Sequence, residues 1–192
     1  MKKDIVLAGV GGQGILTIAS IIGQAAVKQG LNIKQSEVHG MAQRGGSVLA
    51  HLRLSSSAIH SDLIAPGTAD ALIAVEPMEA LRQVESLHSK GVILANSRPV
   101  ENIGDYPELE TVLAALRAYP RSLVIDAEAM AAEIGSARSM NMVMLGAVSP
   151  FLGMPAELLE AMIAEAFARK GPEIVETNRK AFAAGQAAAK GI

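Results

Sequence analysis

The stretch Ile5-Val6-Leu7-Ala8-Gly9-Val10-Gly11-Gly12-Gln13-Gly14 limits what this chain can fold into more than any other. A short apolar run of strand character leads straight into four glycines. An apolar stretch of helical character, residues 15–27, follows at once. Glycine reaches backbone angles closed to other residues and carries no Cβ. The chain can therefore turn sharply there and bring bare amides close to a neighbour. Amides at a helix N-terminus favour an anion such as phosphate or carboxylate. The first forty residues read as a βα unit with an anion-friendly turn.

Apolar runs and helical patterns alternate beyond that unit. The pattern predicts strands over 4–8, 33–38, 47–54, 71–75, 92–95 and 122–126. It predicts helices over 13–29, 77–89, 108–118, 127–135, 140–152, 155–169 and 172–189. Such alternation predicts an α/β fold, a three-layer Rossmann-like domain with a largely parallel sheet and helices on both faces. No helix separates the second and third strands, so an antiparallel hairpin joins them and the sheet is mixed. The length of 192 residues fits one domain spanning 1–192, with a helical C-terminal part from about 139 to 192. There Leu158, Leu159, Met162, Ile163, Ala166 and Phe167 form one apolar stripe, and Ile174, Val175, Phe182 and Ala189 another. The first stripe packs on the sheet or, alternatively, faces a partner subunit.

Composition removes several functions. Half of the chain is hydrophobic and only 3% aromatic, so aliphatic residues and methionine must build the core. Without cysteine there is no disulfide, no thiol nucleophile and no thiolate-held iron–sulfur cluster. A net charge of −2, with both signs spread along the chain, gives no nucleic-acid surface and no polybasic membrane patch. The first apolar run is too short for a signal peptide, and no apolar span approaches membrane-crossing length. These features predict a cytoplasmic protein. The four histidines show no metal spacing, so no metal site is expected.

Gly9, Gly11 and Gly14 follow the G-x-G-x-x-G spacing of dinucleotide-binding turns. Such a site also requires an acid at the end of the second strand, and Glu37 stands near there. The same glycines would equally serve tight strand–helix packing with no ligand. No Gly-Lys-Ser/Thr follows, which argues against a Walker-type triphosphatase.

A second polar segment runs Ser36-Glu37-Val38-His39-Gly40-Met41-Ala42-Gln43-Arg44-Gly45-Gly46-Ser47. It lies at the carboxyl end of the second strand, the edge where open α/β sheets bind ligands. His39 is a possible proton carrier, because histidine changes charge near neutral pH; the plainer role is a hydrogen-bonded loop residue. Arg44 has the planar fork that grips carboxylate or phosphate, or else it pairs with Glu37. Glu76-Pro77, Asn96-Ser97 and Asp126 end other strands and converge on the same edge if those strands are parallel. Each is also a good helix cap. Asn141 reads most simply as a cap.

Taken together, these residues resemble a known family. Gly9-Val10-Gly11-Gly12-Gln13-Gly14 with Thr17, and then the segment from Ser36 to Ser47, are similar to the gamma domain of 2-oxoacid:ferredoxin oxidoreductases. Asn141-Met142-Val143-Met144-Leu145-Gly146-Ala147 resembles the start of that family's C-terminal helical region. The likeness covers about residues 4–185. His39-Gly40-Met41-Ala42-Gln43 stands where pyruvate and 2-oxoglutarate members commonly carry Pro-Glu before an Arg-Gly pair. It most resembles the small beta subunit of the indolepyruvate branch.

The resemblance implies an accessory subunit, inactive alone, of an enzyme that oxidatively decarboxylates an aryl-2-oxo acid to an acyl-CoA and reduces ferredoxin. Thiamine diphosphate and iron–sulfur clusters would sit on a larger partner subunit, with CoA as a shared substrate. The resemblance also implies cofactor-facing roles for Gly9, Gly11, Gly12, Gln13, Gly14, Thr17, Glu37, Arg44, Gly45 and Gly46. Three other readings stay open: a stand-alone NAD(P)-binding oxidoreductase, a purely structural assembly subunit, and the gamma subunit of a pyruvate or 2-oxoglutarate enzyme.

Overall fold

The computed structural model describes residues 1–39, 45–101 and 104–191. Six strands form one sheet: β1 (Lys2–Val10), β2 (Asn32–His39), β3 (Ser47–Ser55), β4 (Ala69–Ala74), β5 (Leu87–Asn96) and β6 (Ser122–Ile125). Their order is β2-β3-β1-β4-β5-β6. β1, β4, β5 and β6 pair in parallel, and β3 pairs antiparallel with both β1 and β2. The sheet is mixed and mostly parallel, with β3 the strand that runs against the rest.

The helices are α1 (Ile15–Lys28), α2 (Pro77–Gln83), α3 (Leu109–Arg117), α4 (Ala127–Glu133), α5 (Met140–Val148), α6 (Ala156–Phe167) and α7 (Pro172–Ala188). Alternate side chains of β1 serve the two faces. Ile5 and Leu7 join α1 and α4 to α7 in one core. Val6 and Ala8 join α2, α3 and Ile64 in the other. This period of two is the pleat of the strand acting on a sheet buried on both sides.

The helical C-terminal layer is held by close backbone approach. All nine residues of α5 are buried. A Cβ on Gly146 would lie 1.9 Å from the Phe182 carbonyl oxygen, and one on Gly185 would lie 1.9 Å from that of Val143. α5 and α7 therefore cross through a pair of glycines. Leu159, Met162 and Ile163 of α6 are buried in the same core. Leu158 and Phe167 of that stripe are partly buried against this core, and Ala166 is exposed. Ile174 departs from the expected second stripe, being 41% exposed, whereas Phe182 and Ala189 are buried as expected and Asn178, Ala181 and Gly185 are buried with them.

Two helix ends differ from expectation. α2 stops at Gln83, a 3-10 turn covers 84–86, and Leu87 opens β5 opposite Ala69. Residues 87–89 thus join the sheet rather than the helix. α5 ends at Val148, and residues 149–151 form a 3-10 turn around Pro150. Proline has no N–H to continue the α-helical pattern.

Asp4 anchors the amino end of β1. It is 1% exposed, and Arg53 grips it through two nitrogens at 2.8 and 3.1 Å. Burial pushes its carboxyl up, but the hydrogen bonds and charges of Arg53 and Lys2 outweigh that and hold it below the ordinary range. Arg53 also donates to the carbonyls of Ser61 and Leu63, and His51 Nδ1 accepts from the Ile64 amide at 2.9 Å. Together they pin the 56–68 loop onto β3.

Candidate functional site

The glycine turn and the second polar segment meet. Beyond the last β1–β3 pair, Val10 with Ser47, Gly11 donates to the Gly46 carbonyl at 2.8 Å and Gly45 donates to the Gly11 carbonyl at 3.4 Å. The two glycine stretches thus extend the antiparallel ladder past the sheet's edge. Gly12 and Gly14 have φ of 101° and 81°, and Gly45 has 81°. These are left-handed values that favour glycine.

The glycines divide the work. A Cβ on Gly9 would lie 2.3 Å from Val75 Cγ2, so Gly9 serves packing between the ends of β1 and β4. A Cβ on Gly14 would lie 2.5 Å from Asn141 Nδ2. Asn141 is therefore not the cap of α5, a position held by Ser139. It lies under the turn instead, with Nδ2 3.5 Å from the Gly14 carbonyl oxygen. Nothing lies near a Cβ on Gly12, so that glycine answers to its φ alone.

Gln13 holds the turn together. Its Oε1 accepts from the Val10 amide at 2.8 Å, and its Nε2 donates to the Val75 carbonyl at 3.1 Å. Thr17 and Ile18 both donate to the Gly14 carbonyl. The Ile15 and Leu16 amides precede those first helical bonds, the position from which a helix N-terminus offers hydrogen to an anion.

Glu37 does not meet the requirement of a ribose-binding acid. β3 lies between β2 and β1, which separates Glu37 from the glycine turn by two strand spacings, about 10 Å. Its carboxylate lies 3.5 Å from Gln35 Nε2 and 3.5 Å from His39 Nε2. His39 is half-exposed at the end of the edge strand β2, opposite Val48. Gly40, Met41, Ala42, Gln43 and Arg44 lie outside the described residues.

The strand ends do converge, and each carries a structural load. Asn96 donates to the Val75 carbonyl at 3.3 Å and accepts from the Ala127 amide at 3.0 Å. Asp126 caps α4 through the Ala129 amide at 2.8 Å and pairs with Arg98 at 2.8 Å. Glu76 caps α2 through the Glu79 amide at 2.8 Å, with Pro77 at the first helical position.

Sequence reasoning missed a cavity on this edge. It measures about 260 Å³ and is lined in part by Gly45, Gly46, Ser47, Glu76, Glu79 and Tyr106. It sits where α1 leaves β1 for one face and α2 leaves β4 for the other, the topological switch at which α/β sheets bind ligands. Glu76 and Glu79 are 1% and 7% exposed. Tyr106 donates its hydroxyl to Glu76 Oε1 at 2.6 Å, and the Val100 amide donates to the same oxygen at 3.3 Å. Ser47 donates to Glu79 Oε2 at 2.6 Å, and Arg82 lies 3.5 Å from the other oxygen. Burial, and then the hydrogen bond and charge of Glu76, push the Tyr106 phenol well above its ordinary range. Both carboxylates are engaged, so this wall offers shape and fixed polarity rather than a free base. Glu76-Pro77 was legible as a cap, but Ser47, Glu79 and Tyr106 gave no signal of joining it.

The chain has no cysteine, and among the described residues no group of three His, Asp or Glu is placed to hold a metal ion. Among those residues, no helix is long and apolar enough to cross a membrane.

Comparison with known proteins bears directly on this arrangement. The family model for pyruvate ferredoxin/flavodoxin oxidoreductase matches residues 4–188. The indolepyruvate oxidoreductase subunit IorB of Archaeoglobus fulgidus is 39% identical, over 96% of this chain and 94% of its own length. The common gamma subunit of the pyruvate/ketoisovalerate oxidoreductases of Pyrococcus furiosus is 28% identical, over 90% of this chain and 89% of its own. The fold matches that of 2-oxoglutarate:ferredoxin oxidoreductase from Magnetococcus marinus with a TM-score of 0.79 at 24% identity. That match covers all of this chain and 31% of the longer one, whose structure holds 2-oxoglutarate, coenzyme A and succinyl-CoA. By the match of its sequence from strand β1 to helix α7, this chain belongs to the pyruvate ferredoxin/flavodoxin oxidoreductase family.

Proposed function

We propose that this chain is the small, gamma-type subunit of a cytoplasmic 2-oxoacid:ferredoxin oxidoreductase of the indolepyruvate kind, and that it acts as one domain. The reading rests most heavily on one observation: near end-to-end identity of 39% with a subunit named for indolepyruvate. Identity with the pyruvate/ketoisovalerate gamma subunit is 28%. The whole enzyme would decarboxylate an aryl-2-oxo acid, transfer the acyl group to CoA and pass electrons to ferredoxin.

Thiamine diphosphate would supply the carbanion chemistry and iron–sulfur clusters the electron path, both on a larger partner subunit. The absence of cysteine here supports that division. This chain's residues would present the carboxyl edge of the sheet to the partner. The Gly9–Gly14 turn and the Gly45-Gly46 pair would form the floor of a shared cleft, with the first amides of α1 offered to an anion. Gln13 and Asn141 keep the turn in shape through their backbone contacts. Arg44 would add a cation to the same edge and contact CoA or a partner carboxylate. His39 would line the cleft without a required chemical role.

Reconstitution with the large subunit tests this. Arg44→Ala is expected to raise the KM for CoA, or to weaken subunit association, by about tenfold, equivalent to one lost charge-assisted contact. Unchanged kinetics together with unchanged assembly would remove Arg44, and with it the shared cleft, from the account.

A further inference from the structure

We propose that a cavity at the opposite, amino edge of the sheet binds a small polyanion, a compound bearing two or more phosphate or carboxylate charges. The cavity measures about 350 Å³ and lies beneath the turn that joins α5 to α6. Lys3 of β1, Lys90 of β5 and Arg121, just before β6, line it together with Phe151. Three cations thus converge on one hollow in a chain whose net charge is −2.

What distinguishes them among the described residues is that they line one cavity and lack an ion pair; Lys34, Arg138, Arg169, Lys170, Arg179 and Lys190 also lack one but do not line it. Lys2, Lys28, Arg53, Arg82, Arg98, Arg117 and Lys180 each lie within 4.0 Å of a carboxylate. Lys3, Lys90 and Arg121 have no such partner among the described residues. The one acid lining the cavity is Asp70. Its Oδ2 already accepts from the Asp4 amide at 2.8 Å, and its Oδ1 lies 3.4 Å from His88 Nε2. One engaged carboxylate cannot balance three cations, and a pocket with an excess of one sign of charge concentrates the opposite ion.

Arg121 is also held ready. Its carbonyl accepts from the Ile93 amide at 2.9 Å, its Nη1 donates to the Lys90 carbonyl, and its guanidinium lies 5.7 Å from the centre of the Phe151 ring. A guanidinium fixed on one nitrogen and one face loses little freedom when the rest of its fork meets an oxyanion. Lys3 and Lys90 supply point charges that adapt to either phosphate or carboxylate.

This site is separate from the glycine turn and does not depend on the proposed activity. Isothermal titration of the full chain with inorganic pyrophosphate, and separately with citrate, tests it. Saturable binding of at least one probe at one site per chain is expected, and the stronger probe identifies phosphate or carboxylate as the preferred chemistry. Arg121→Ala should weaken that binding about tenfold and Lys90→Ala by several-fold. Lys34→Ala, on the exposed strand β2, should leave it unchanged. Thermal melts of each variant establish that it is folded. No saturable binding of either probe at millimolar concentration would overturn the proposal. So would equal weakening by Lys34→Ala, because the attraction would then come from overall charge rather than from this cavity.

Discussion

Gly146 and Gly185 each occupy a place where a methyl group would collide with the facing helix backbone. Backbone cannot swing aside as a flexible side chain can, so α5 and α7 would have to separate. Gly185→Ala is expected to cost about 2–3 kcal/mol or more, beyond any gain in helix propensity, which urea denaturation would measure. His51 makes a second prediction. Burial lowers its imidazole pKa, the Arg53 charge lowers it further, and Asp62 opposes both. The neutral ring accepts from Ile64; a protonated ring would present a hydrogen there instead. A folded pKa below the unfolded value contributes stability above the unfolded pKa and loses it as pH falls through the folded one. His51→Gln keeps an acceptor but does not titrate. Its melting temperature should fall less than the parent's between about pH 7 and about pH 5. An identical acid-side slope would show that this histidine carries no part of it.

The elements themselves were largely legible, because long stretches of apolar period fixed both their type and their order. The hairpin of β2 and β3 followed from eight intervening residues with no helical pattern, and the register of β3 against both neighbours agrees. What sequence could not reveal was the competition for residues 87–89. Their helical spacing lost to pairing of Leu87 with Ala69 at a bulge in the β4–β5 ladder, a long-range term invisible locally. Asn141 looked like a cap because caps are local. Its contact with Gly14, 127 residues away, required the folded chain. Glu37 looked like a ribose ligand because chain order suggested that β2 lay beside β1, and the insertion of β3 between them undid that. β2 is an edge strand with mostly exposed side chains, whereas β1 is central and buried over most of its length. Hydrogen exchange should therefore release β2 amides well before those of β1 and β4. Equal protection would mean that the sheet opens only as a unit.

At the scale of the whole molecule, two glycine segments meet at one edge of the sheet, while the core behind them is largely aliphatic. Nothing among the described residues is a free nucleophile or base beside the cavity at that edge: Glu76 and Glu79 are engaged by Tyr106, Val100, Ser47 and Arg82. Such an arrangement suits a subunit that shapes a cleft for chemistry carried out by a partner. The most direct test is 2-oxo-acid-dependent reduction of ferredoxin in the presence of CoA, measured for this chain alone, for the large subunit alone and for the two combined. The account predicts turnover of indolepyruvate by the combination and none by this chain. Turnover by this chain without its partner would contradict it.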